Sequence, residues 1–146
     1  MDNLRMFFQN KYIYIPFLLW FAIQLYKILY DLVKMRKINI RRITGAGGMP
    51  SAHSAVVTSL ATLIGKYEGV SSPVFALSCA MAFIVMYDAC GVRRAAGEQA
   101  VVLNKIVKSP EMKKLQVQEK LIERIGHTPF QVIVGAAIGI GVGLIS

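Results

Sequence analysis

The sequence is poor in acid, cysteine and histidine. Of 146 residues, 8 are Asp or Glu against 17 Lys or Arg, with two cysteines and two histidines. The cysteines, Cys79 and Cys90, fall eleven positions apart in a helix-like stretch. Eleven residues of helix rise about 16 Å, out of disulfide reach. No CxxC pair is present. A disulfide framework is therefore excluded, and both cysteines are expected as small buried apolar residues. The few acids and histidines form no compact metal-ligand spacing. A site combining His53, His127, Asp88 and Glu98 is only a weak third reading, so no metal or other cofactor is expected. A cleavable leader is not expected either. The first apolar run carries Lys27 and Asp31 and lacks a small-residue cleavage site.

Apolar residues, by contrast, are abundant. They make up 55% of the chain, with 12 glycines and a mean hydropathy of +0.50. That balance suits a small integral membrane protein of one domain, residues 1–146. The net charge of +9 fits cytoplasmic loops that face anionic lipid. Long uncharged runs argue against nucleic acid as the partner.

Four apolar segments predict an all-α bundle of about four transmembrane helices. The first is Tyr12 to Leu32, with Tyr12, Tyr14 and Trp20 as interfacial anchors. Its Gln24, Lys27 and Asp31 share one face, where Lys27 and Asp31 can pair, so that face should look into protein. The second, Ala52 to Gly65, is short and rich in hydroxyls, as tight helix packing in lipid prefers. The third, Pro73 to Tyr87, has Pro73 at its start and a helical pattern running on toward Asn104. The fourth starts at Pro129, and Gly135, Gly139 and Gly143 repeat at GxxxG spacing, a packing face. Between the third and fourth, an amphipathic interfacial helix is expected, capped by Ser109 and ended at Gly126. Its charges need no more than a solvated face.

Charge sets the topology. Residues 34–50 carry Lys34, Arg36, Lys37, Arg41 and Arg42 and no acid, and residues 88–128 carry eight basic residues. The positive-inside rule makes both stretches cytoplasmic and puts both termini outside.

Three peptides then meet at one membrane boundary: GGMPSAHSA (47–55), YDACGVRRAAGEQ (87–99) and ERIGHTPFQ (123–131). Ser51 can cap the second segment, with His53 in its first turn. Thr128 can cap the fourth, with His127 just outside. Helix N-termini offer free N–H groups and positive potential. Gly48 and its neighbours let backbone approach an anion. Arg93 or Arg94 could supply a forked cation. Asp88, an acid closing an apolar run, needs a basic partner from the same site. Singly, each has a plainer use: a capping histidine, a juxtamembrane arginine, a helix-surface Glu98 and Gln99. Jointly they are what a phosphate monoester site needs: a nucleophile, an acid and cations for the equatorial oxygens.

These residues resemble a family. PSAH (50–53) is similar to the Pro-Ser-Gly-His motif of the type 2 phosphatidic acid phosphatase superfamily, which includes vanadium haloperoxidases. HTPFQVIVGAAIGI, from His127, resembles its third motif, and the combination is closest to the small divergent branch. The resemblance spans roughly residues 45–143. It implies His127 as the nucleophile that forms a phosphohistidine, His53 as the acid toward the leaving alcohol, and Ser51 as a phosphate ligand. It also implies metal-independent hydrolysis of lipid phosphates. Gln131 stands where the family has the aspartate that orients the nucleophile. The third motif's leading arginine is missing: position 121 is Leu, and Arg124 lies three before His127. Lys34 and Arg41 have the spacing of the first motif, but Arg42 follows where Pro belongs.

The expected function is therefore hydrolysis of a lipid-linked phosphate monoester or pyrophosphate at the cytoplasmic face, in the plasma membrane. The alternative is a catalytically impaired protein that binds or handles lipid phosphate. Four spans where the larger family has six imply a bundle that completes itself as a homo-oligomer.

Overall fold

The computed structural model describes residues 2–35, 48–109, 121–122 and 126–146, and every regular element among them is a helix. The order is α1 (Asp2–Gln9), α2 (Lys11–Met35), α3 (Ala52–Glu68), α4 (Pro73–Cys90), α5 (Val92–Val107) and α6 (Pro129–Ile145). The expected interfacial helix at 109–126 and Arg41 lie largely or wholly outside the described residues.

Helix α3 is the centre, with α2, α4 and α6 packed around it. Its composition explains why. Ala52, Ser54, Ala55, Thr58, Ser59, Ala61, Leu63 and Ile64 are buried, and most are small enough for close backbone approach. In an apolar setting each hydroxyl needs a nearby acceptor. Thr58 Oγ1 has three within reach: Ser54 O at 2.7 Å, Ala55 O at 3.3 Å and Ala136 O on α6 at 3.1 Å. The glycine stripe of α6 meets this helix. A Cβ on Gly135 would lie 2.4 Å from Ser51 O, one on Gly139 2.2 Å from Ala55 O, and one on Gly143 2.6 Å from Thr62 Cβ. The stripe is a packing face, as its spacing predicts.

The polar face of α2 also turns inward. Gln24, Lys27 and Asp31 are each buried beside Leu19 and Ile23. Trp20 is not simply an interfacial anchor. It stacks on Phe17 and packs against the cluster of Leu19, Ile23, Ala52 and Ala55.

Two expectations need correction, and a third is met in part. Two helical stretches, Lys11–Lys34 and Pro73–Val107, are long and apolar enough to cross a membrane. The other two apolar helices, α3 and α6, have 17 residues each, about 25 Å against a core of about 30 Å. Of the expected spans of about four, two therefore have the length and apolarity to cross a membrane, and α3 and α6 are shorter apolar helices. The helix after Pro73 also breaks at Gly91, whose N–H caps Tyr87 O at 2.8 Å, and restarts as α5. Cys79 is exposed and Cys90 half-buried rather than both being core residues.

Candidate active site

The C-terminal ends of α2 and α4 meet the N-terminal ends of α3 and α6, and the three polar peptides come together there. Ser51 caps α3, its Oγ accepting from Ser54 N–H at 3.3 Å. That cap sets His53 in the first turn, exposed. Thr128 caps α6 with Pro129 next, and Gln131 closes a reciprocal capping box. Two backbone bonds join the peptides. Ser51 N–H donates to Gln131 O at 3.1 Å, and His127 N–H donates to Ala89 O at 3.0 Å. Gly126 makes the second junction possible. A Cβ there would fall 2.4 Å from Arg94 Cα and N, so only glycine lets the His127 loop lie on the start of α5.

His127 is 3% exposed, and its Nδ1 lies 3.2 Å from Gln131 Oε1. The same oxygen accepts from Thr128 N–H at 3.1 Å. An amide oxygen only accepts, so the ring must carry its proton on Nδ1. That leaves the Nε2 lone pair available for attack. Burial pushes the His127 pKa below the usual 6.5. The Gln131 bond opposes this, while Lys27, His53 and Arg93 add to it. Desolvation and nearby positive charge both disfavour the imidazolium, so the neutral imidazole is favoured near neutral pH.

His53 lies within electrostatic reach of His127. Arg93, Lys27 and Asp88 act on it in turn. The two arginines separate cleanly. Arg93 Nε donates to Asp88 Oδ2 at 2.5 Å, the partner Asp88 was expected to have. Arg94 instead pairs with Glu98 at 3.0 Å on the exposed side of α5. Successive helical residues point about 100° apart, so only one of the pair can face the histidines.

Other expected site residues are placed differently. Ser51 is fully buried, and its Oγ accepts from both the backbone and the hydroxyl of Ser54. Both bonds are accepted by Ser51 Oγ, so its own hydroxyl proton remains to donate. Lys34 is held by Tyr30, donating to its hydroxyl at 3.2 Å, at the rim. Gly48 adopts φ +81°, a left-handed turn that favours glycine. Among the described residues, no three His, Cys, Asp or Glu side chains converge as metal ligands.

Two residues join the site that sequence reasoning had not placed there. Lys27 and Asp31 are each 6% exposed, and Lys27 bears on both histidines. Their inward face was legible. Their position beside the histidines depends on how α2 crosses α3. Asn104, likewise missed, binds both backbone groups of Leu121 at 2.9 Å and so ties that segment to α5.

Residues 8–142 match the model of the divergent PAP2 family. The chain belongs to that family. One relative is the Bacillus subtilis (strain 168) protein YuiD, described as an uncharacterized membrane protein. It is 41% identical over 128 residues, covering 80% of this chain and 81% of the relative. No solved structure matches. Family and relative agree with the apolar helices in supporting a membrane protein of a phosphatase-related superfamily.

Proposed function

We propose that the protein is a metal-independent membrane phosphatase acting on a lipid-linked phosphate monoester or pyrophosphate. The observation that carries this reading is the buried His127, bonded to Gln131, in a loop that lies on the Arg93–Arg94 backbone and is tied to the Ser51 turn that carries His53. His127 Nε2 attacks phosphorus, and the bond from phosphorus to the leaving oxygen breaks. His53 gives that oxygen its proton, releasing the lipid alcohol (or lipid monophosphate) and leaving phosphohistidine. Water then attacks phosphorus, His53 takes the water's proton, and the P–N bond breaks to release inorganic phosphate. Lys27 and Arg93 hold the charge on the equatorial oxygens. Ser51 contributes by fixing the turn that carries His53.

The connection between α2 and α3 is the sequence's most basic, acid-free stretch, so the active face is cytoplasmic in a plasma-membrane protein. A homo-oligomer would cover the apolar surface that the two short helices cannot span alone.

Phosphate release by purified protein from phosphatidic acid, phosphatidylglycerol phosphate and a prenyl pyrophosphate tests the reading. Vanadate, a mimic of the five-coordinate transition state, should inhibit. Unchanged release by His127→Ala would refute the mechanism.

A second reading is a lipid-phosphate binding protein without turnover. It is favoured by the neutral Gln131, which stands where the resemblance places an aspartate. It predicts lipid-phosphate binding that His127→Ala leaves intact, with no phosphate released by the wild type.

A further inference from the structure

Helices α2 and α6 both pack on α3 but scarcely touch each other. A cleft of about 590 Å³ lies between them, within the usual range of about 300–1,000 Å³ for small-molecule sites. Its deep walls are apolar: Leu19, Ala22 and Ile23 on α2, Val134 and Ile138 on α6. Its other end is polar and reaches Lys27, Asp31, Tyr30 and the Gly48–Pro50 turn. Along α2 the lining from Leu19 to Asp31 covers twelve residues of rise, about 18 Å.

We infer that this cleft holds the hydrocarbon tail of the lipid whose phosphate reacts at His127. The inference rests on the proposed phosphatase reading and adds where the tail lies. Three observations point to this occupant. First, the polarity is graded in the sense a phospholipid needs, with charged groups at the membrane boundary and aliphatic walls toward the bilayer interior. Second, the polar end adjoins the turn that carries one histidine. Gly48, Met49 and Pro50 line the cleft, and Pro50 leads into the Ser51 cap that sets His53. Third, the charge suits an anionic headgroup. Lys27 lines the cleft, Lys34 is fastened to its Tyr30, and Arg93 stands near the histidines. Against these, Asp31 lies beside Lys27 and Asp88 is paired with Arg93. A tail in the cleft would leave the phosphate at its polar end, beside the turn that leads to His53, so chain length should determine binding.

The test uses wild-type protein in nanodiscs with phosphatidic acid carrying a photoactivatable diazirine in one tail. Cross-links should concentrate on residues 19–26 and 134–138. Equal labelling of the exposed Leu77, Phe83 and Ile84 of α4 would overturn the inference. A second arm uses Ala22→Trp, with Val134→Trp as an alternative should the first fail to fold. Either should raise KM for a long-chain lipid phosphate roughly tenfold while leaving a short-chain, soluble analogue unaffected. An equal loss on both substrates would count against a tail slot. Disulfide cross-linking between copies of Ala22→Cys would put a second copy of this chain in the cleft, and would also overturn it. Labelling requires no turnover. A labelled cleft without phosphate release would refute the phosphatase reading and leave tail binding standing. Release without cleft labelling would do the reverse.

Discussion

The two ends of the bundle are both polar, yet they are built differently. At the far end, Tyr12 bonds Glu68. Lys11 lies over the Tyr67 ring, Lys66 Nζ donates to Leu144 O at 2.8 Å and Tyr67 OH to Ser146 O at 2.8 Å. These contacts are exposed, and the groups largely satisfy one another or cap a helix end. At the histidine end, Lys27, Asp31, Ser51 and His127 are withdrawn from solvent. Burying charge and imidazole costs free energy unless partners or a function compensate. Polar residues therefore mark a boundary at both ends, but sequestered ones mark a site at only one. Counting polar residues would not distinguish the ends.

That difference can be broken by substitution. The largest effect is expected at the histidines. His53→Ala should slow turnover by roughly 10²–10⁴-fold, the usual contribution of a general acid–base group. Phosphate release in detergent or nanodiscs reads it.

Arg93→Ala should come next, losing about 10–100-fold in turnover, since a charged hydrogen bond contributes about 1.5–3 kcal/mol. Arg94→Ala should change activity little, because its exposed pair with Glu98 is worth at most about 0.5 kcal/mol. Equal effects of the two would mean that the arginine facing the site is misassigned.

Gly126→Ala should destabilise by about 1–3 kcal/mol through overpacking against the Arg93–Arg94 backbone, and should displace the His127 loop. Gly139→Ala, equally crowded but about 15 Å along α6 from Pro129, should cost similar stability with less loss of turnover per folded molecule. Thermal unfolding combined with phosphate release separates the two.

The pH profile is a subtler measure. His127 is held below 6.5 when folded, so the neutral nucleophile persists to lower pH than in a free imidazole. The unfolded chain takes up its proton near 6.5 and the folded one only at lower pH. Stability from this group is thus present above 6.5 and falls as pH drops toward the folded pKa. Gln131→Asp places an anion against Nδ1–H and should move the acid limb of activity upward. An unmoved limb would detach Gln131 from His127. At the far end, Glu68→Gln should leave both activity and its pH profile unchanged.

Much of this site was legible because local rules govern it. Ser51, Thr128 and Pro129 are capping residues at fixed offsets, and each starts its helix where expected. The glycine spacing of α6 and the i, i+3, i+7 polar face of α2 are helical periodicities. Asp88 needed a basic partner and found Arg93 five residues on.

What failed depends on tertiary register. The break at Gly91 decides which of two adjacent arginines faces inward, and no local pattern shows that. Lys27 joins the histidines only because α2 crosses α3 at that height. Cys79 was expected inside on composition alone, but on a lipid-facing helix an exposed thiol meets no penalty that would force burial.

The central claim is that His127 becomes phosphorylated. Rapid mixing with radiolabelled lipid phosphate, alkaline denaturation and peptide mapping test it directly. An acid-labile, base-stable label on the peptide containing His127, absent in His127→Ala, is the predicted result. Steady release of phosphate with no label on that peptide would contradict the account.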